Sequence, residues 1–114
     1  METNDAISAL GALAQATRLD IFRLLVQKGP DGLAPGVIAQ KLELPNATLS
    51  FHLKELAQAS LVSARQEGRF IYYTANYSAM NDLVGFLTEN CCSGTDCGVA
   101  SKPVKPPISK RRSA

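Results

Sequence analysis

Apolar residues follow a helical period as far as about residue 58, give way to β-prone segments over 61–73, and return to a helical period over 78–90. From Gly98 onward no period remains. Ile7, Leu10, Leu13 and Ala14 predict a short amphipathic helix over 7–14. A second helix is expected to start at Thr17 as N-cap, with Asp20 completing a weak capping box. Leu19, Phe22, Leu25 and Val26 would form its core face, Gly29-Pro30 would end it, and Pro30-Asp31-Gly32 reads as a turn.

Pro35 can open a third, short helix with Val37, Ile38 and Leu42 facing inward. In "LPNATLSFHLKELAQASLV", Leu49, Leu53 and Leu56 recur at i, i+4 and i+7, so one face is buried and Asn46, Ser50, Phe51 and Lys54 fall toward the other. A short helix, a brief turn and a helix with a hydroxyl-rich outer face make a helix-turn-helix. Two β-prone segments flank Gln66-Glu67-Gly68-Arg69, which predicts a hairpin with Gly68 free to take a positive φ. Ser78 is expected to cap a last helix carrying Met80, Leu83, Val84, Phe86 and Leu87. The fold class is therefore mainly α with a small β-hairpin, a winged helix-turn-helix in the order α-α-α-α-β-β-α. Its expected division is a winged helix-turn-helix domain at 1–90, a cysteine segment at 91–97, and a disordered tail at 98–114.

Composition narrows the function classes. The 114 residues allow one domain, and 46% apolar with 19% charged residues suits a globular protein in water. The first residues lack a basic segment followed by an apolar block, and no run reaches the ~18 apolar residues of a membrane span. The expected compartment is the cytoplasm, with no membrane partner. The net charge of +2 divides into +4 over 91–114 and −2 over 1–90. A body that is slightly acidic binds DNA, if at all, through a few placed residues rather than a bulk field. A single histidine, no Cys-x₅-Arg phosphate loop and no glycine-rich phosphate cradle leave little material for an enzyme.

The chain resembles the ArsR/SmtB family of winged helix-turn-helix metalloregulators over roughly residues 6–90. "ATRLDIFRLL" is similar to the family's second-helix signature, "LPNATLSFHLKELAQASLV" to its recognition helix, and "RQEGRFIYY" to its wing. The resemblance implies that residues 1–90 are a DNA-binding and dimerisation domain, and that the protein is a homodimer, joined through the first and last helices, that represses its operon until an inducer binds. Candidate interface residues are Leu10 and Leu13 from one end and Leu83, Phe86 and Leu87 from the other. Double-stranded operator DNA is the expected partner. Asn46, Thr48 and Ser50 are candidates for hydrogen bonds to bases or phosphates, Phe51 and Lys54 complete the outer face, and Arg69 at the wing tip suits a phosphate. Pro45 stands where the family commonly has a capping serine, so Asn46 is expected to take over the cap. Phe51 replaces a usual polar residue; a phenyl ring donates no hydrogen bond but can touch a thymine methyl. His52 reads as a packed boundary residue rather than a ligand, and Tyr72 and Tyr73 as strand packing.

All three cysteines lie in "NCCSGTDCG": Cys91, Cys92 and Cys97. The arsenical branch of the family often carries its cysteines before the recognition helix, where "GLAPGVIAQ" has none. The zinc and cadmium branch often uses carboxylates and histidines on the last helix, which here offers Asp82 and Glu89 alone. Three thiolates without histidine make a soft site, and neither their number nor their spacing suits structural zinc. Trivalent arsenic or antimony takes three thiolates in a pyramid, so As(III) or Sb(III) is the expected inducer, with no permanent cofactor. Adjacent Cys91 and Cys92 cannot both point one way from a regular helix, so the chain should unwind there, and Ser93-Gly94 can fold Cys97 back. The alternatives are a Cd(II)- or Pb(II)-responsive repressor and a thiol-redox switch.

Overall fold

The computed structural model describes residues 1–94; the tail predicted at 98–114, and Cys97 with it, lies outside them. Five helices and a hairpin run in the predicted order: α1 (Thr3–Leu13), α2 (Ala16–Lys28), α3 (Pro35–Leu42), α4 (Asn46–Gln58), β1 (Val62–Glu67), β2 (Phe70–Ala75) and α5 (Tyr77–Leu87). A short 3₁₀ segment, Cys91–Gly94, follows α5.

One core joins all of these elements. Ile21 and Leu25 of α2, Ile38 of α3, Leu49 and Leu56 of α4, and Leu61 before β1 are fully buried. Each such side chain contributes about 1.5–3 kcal/mol by leaving water. The buried face of α1 is Ala6 and Ala9, not the predicted set; Ile7 is 61% exposed and Leu10 is also exposed. Two alanines let α1 approach its neighbours closely, which turns its larger residues outward. In α2 and α3, likewise, Leu19 and Val37 are exposed while Ile21 and Ala39 are buried.

Besides α1, which begins at Thr3 rather than at residue 7, three helix starts differ from expectation. Gln15, not Thr17, caps α2: its backbone is extended and its side-chain carbonyl accepts the Arg18 N–H at 2.8 Å. Asn76, not Ser78, caps α5, because an amide both accepts and donates. Its oxygen takes the Ala79 N–H at 3.1 Å while its nitrogen donates to the Ser60 carbonyl at 2.9 Å. The third start, that of α4, bears on the DNA-facing surface described below.

The hairpin pairs Val62 with Ala75 through to Glu67 with Phe70, leaving a two-residue turn at Gly68-Arg69. Gly68 has φ +62°, at the loop position for which two-residue hairpins favour glycine. A bridge that local periodicity does not announce extends this sheet: Leu33 and Tyr73 exchange both backbone hydrogen bonds, at 3.0 and 2.8 Å. Gly32 makes the approach feasible. Its φ is +77°, and a Cβ there would lie 2.5 Å from the Tyr73 carbonyl oxygen.

Candidate nucleic-acid interface and cysteine segment

The turn between α3 and α4 is set by Glu43, whose left-handed conformation (φ 56°) ends α3. The Leu44 N–H then reaches back to the Ala39 carbonyl at 2.9 Å. Pro45 occupies the N-cap of α4 and supplies no side-chain acceptor; Asn46 is already the first helical residue, so it does not take over the cap. The first-turn N–H groups therefore remain for water or for an anion such as a DNA phosphate.

Beyond that turn α4 divides sharply. Leu49, His52, Leu53 and Leu56 are buried, while Asn46, Thr48, Ser50, Phe51 and Lys54 are all exposed. The five outer residues named from sequence thus share one solvent-facing surface. Two hydroxyls, one amide, one ammonium and one phenyl ring offer hydrogen bonds to base edges and phosphates together with an apolar contact.

His52 is 8% exposed, as a packed boundary residue should be. Its Nδ1 lies 3.2 Å from Nη1 of Arg18. A guanidinium only donates, so Nδ1 is the acceptor in this pair. Arg18 is itself fixed by Nε donating to the Ala12 carbonyl at 2.7 Å. On the other side, the His52 and Phe51 rings meet edge-on, with centroids 5.4 Å apart and planes at 62°. Nothing in the periodicity singles out Arg18; only its place in "ATRLDIFRLL" could have drawn notice.

Arg69 is exposed at the tip of the hairpin, next to exposed Phe70. Arg65, also unanticipated, anchors the middle of the hairpin. It donates to the Pro30 and Asp31 carbonyls at 3.4 and 3.0 Å, pairs with Glu67 at 2.8 Å, and lies 5.2 Å from the Tyr72 ring centroid. Tyr72 and Tyr73 are half-buried strand residues.

Helices α1 and α5 pack together and leave apolar residues outside. Leu10 and Leu87 are exposed, and Leu13 and Phe86 are half-buried against the core. Leu83 differs from its predicted role, because at 7% exposure it already belongs to the protomer's own core. Ile7 and Val84, not named as interface candidates, add to the exposed apolar surface.

The helix does unwind before the cysteines. It ends at Leu87, Asn90 turns left-handed (φ 56°), and Cys92 and Ser93 repeat that conformation inside the 3₁₀ segment. Cys91 Sγ and Cys92 Sγ lie 3.6 Å apart, beyond the ~2.05 Å of a disulfide between them. Among the described residues no cluster of three or more His, Cys, Asp or Glu forms a metal site; the third predicted ligand, Cys97, lies outside them. Asp82 and Glu89 are exposed. Asp82 shares with Asp5, Ser8, Asn76 and Ser78 a recess whose lining contains no cysteine, histidine or lysine.

Residues 13–64 match a helix-turn-helix domain family. The chain is 34% identical over 99 residues to the nodulation protein NolR of Rhizobium meliloti, covering 87% of this chain and 78% of that one. It is 33% identical over 81 residues to the arsenical resistance operon repressor of Bacillus subtilis, covering 71% and 72%. An ArsR-like transcriptional regulator from Rhodococcus superposes with a TM-score of 0.65 at 25% identity, over 74% of this chain and 76% of that one. A homodimeric winged helix-turn-helix DNA-binding domain from Mycobacterium bovis superposes with a TM-score of 0.62 at 27% identity, over 81% and 85%. With its helix-turn-helix, its wing and these relatives, the chain belongs to the ArsR family of winged helix-turn-helix transcriptional regulators, which are DNA-binding proteins and not enzymes.

Proposed function

We propose that this protein is a homodimeric repressor that leaves its operator when trivalent arsenic or antimony is captured by the reduced thiols of Cys91, Cys92 and Cys97. The observation that carries this reading is the 3.6 Å separation of the Cys91 and Cys92 sulfurs at the left-handed turn after α5. That separation lets both sulfurs reach one soft ion at about 2.3 Å each with only a small adjustment, which supports the reading. Similarity to a repressor named for arsenical resistance supports the choice of ion.

The coupling follows from position. The cysteines continue directly from α5, whose outer apolar residues, with those of α1, are the surface offered to a second protomer. Drawing the sulfurs around an ion reshapes the end of that helix and tilts one protomer against the other. Two recognition helices then lose the half-site spacing that a two-fold dimer must match. All ligands come from one chain, so a dimer binds two ions. By linkage, DNA weakens ion binding by the factor through which the ion weakens DNA binding.

The deciding experiment uses thiol-reduced protein. It titrates the operator complex, followed by fluorescence anisotropy, with As(III), Sb(III), Cd(II), Pb(II) and Zn(II), with a parallel oxidant arm. Release by As(III) or Sb(III), with a higher requirement after Cys91→Ser or Cys92→Ser and unchanged DNA affinity without ion, supports the reading. Release by Cd(II) or Pb(II) alone would replace the ion. A second reading draws on the same closeness of sulfurs, 3.6 Å between Cys91 and Cys92 in a segment that holds all three cysteines of the chain. Release by oxidant alone, reversed by thiol, would establish that redox switch instead. Undiminished arsenite release from the doubly substituted protein would remove the cysteine site.

A further inference from the structure

We propose that Phe51 reads the 5-methyl group of a thymine in the major groove, and that Arg18 and His52 hold its ring for that purpose. This inference rests on the DNA-binding reading of α4 and names one feature of the sequence it recognises.

A lone exposed apolar residue is ordinary and proves nothing. Phe51 differs in its setting. It is 55% exposed on the mainly polar outer face of α4, between Thr48 and Lys54, where hydrogen-bonding residues are the useful ones. It is also constrained. The His52 ring packs edge-on against it at 5.4 Å, and that imidazole is buried and bonded to Arg18 at 3.2 Å. Arg18 is tied in turn to the Ala12 carbonyl at the end of α1. A chain of three side chains therefore fixes the direction in which a solvent-facing ring points.

Chemistry then limits what the ring can recognise. Phenyl has no donor or acceptor, so the edges of guanine, adenine and cytosine offer it nothing specific. The thymine methyl is the apolar mark of the major groove. Burying one such methyl is worth about fourfold in affinity, and a symmetric dimer meets it in both half-sites for about fifteenfold together. Phe51 touches the base in this account; Arg18 and His52 are positioning residues.

The test uses the full-length protein and a duplex enriched by it from a random library. Each thymine is replaced in turn by deoxyuridine, which removes the methyl and leaves every hydrogen-bonding atom in place. One thymine per half-site should weaken binding about fourfold when replaced, and the Phe51→Ser protein should no longer distinguish the two bases there. Arg18→Lys, which keeps the charge but not the guanidinium fork, should lower that discrimination while leaving the salt dependence of binding unchanged. Its fold is checked by circular dichroism, and a folded Arg18→Lys protein with full discrimination would remove the positioning role. Wild-type binding indifferent to uridine at every position would overturn the proposal while leaving DNA binding intact. Failure to enrich any duplex would instead sink the DNA-binding reading on which it stands.

Discussion

Nη1 of Arg18, near the start of α2, lies 3.2 Å from Nδ1 of His52 in the middle of α4, a pairing across 34 positions of the chain. It joins the helix that follows α1 to the helix that faces DNA. Replacing Arg18 with Met keeps much of the packing but leaves a buried imidazole nitrogen and the Ala12 carbonyl without this donor. Leaving such groups unsatisfied costs about 1–3 kcal/mol, so the urea midpoint should fall at constant slope. An unchanged midpoint would show that water replaces the guanidinium at no cost.

Gly32→Ala should be more damaging than its size suggests. A left-handed residue other than glycine costs about 1–2 kcal/mol, and here the new methyl would also press on the Tyr73 carbonyl. A stability decrease of about 2 kcal/mol or more is expected in chemical unfolding. Gly68→Ala shares the positive φ but meets no atom within 4 Å, so it should cost less. Equal decreases would mean that backbone strain alone accounts for both.

Two arginines of the hairpin should separate by assay. Arg69→Ala should weaken binding to all sequences alike and reduce the slope of log affinity against log salt by about 0.9 for each phosphate the guanidinium neutralises. Arg65→Ala, which removes the ties to Pro30 and Asp31, should loosen the hairpin and be seen in hydrogen exchange of its amides. A change of sequence preference in Arg69→Ala at an unchanged salt slope would reassign that residue to base reading.

For the dimer, Leu87→Asp is a cleaner probe than Phe86→Asp. Leu87 is 58% exposed in the protomer, whereas Phe86 packs partly against the core, so a charge at Phe86 would disturb folding as well. Leu87→Asp should remain folded by circular dichroism, sediment as a monomer and bind the operator weakly. A Leu87→Asp protein that sediments as a dimer would place the interface elsewhere.

The element order and the division of α4 were legible because Leu49, Leu53 and Leu56 carry an unambiguous helical period and, alanines aside, the outward residues are polar except Phe51. The helix starts were less so. Thr17 and Ser78 have the residue types that cap helices, yet Gln15 and Asn76 do so, because capping depends on which residue has extended backbone when the chain arrives. Reading α1 from its largest apolar residues placed Ile7 and Leu10 inward although both are exposed, since two alanines suffice for a close helix contact. The Leu33–Tyr73 bridge and the Arg18–His52 pair link residues 40 and 34 positions apart, and local periodicity carries no signal at that range. At the cysteines, the unwinding was readable from adjacency alone, since two neighbouring side chains cannot share a direction on a helix.

The bridge between Leu33 and Tyr73 has a mechanical consequence. With Arg65 gripping the same turn, the hairpin is fastened midway along its length to the chain that leads into α3, so wing and recognition helix travel together as one reading head. The signal proposed at the end of α5 would then shift the two heads of a dimer relative to each other without easily distorting either one. An induced protein should accordingly keep its preference for an isolated half-site while losing its preference for a particular distance between two. Duplexes with one or two base pairs inserted at the centre would reveal this as a changed optimum rather than a general loss of grip.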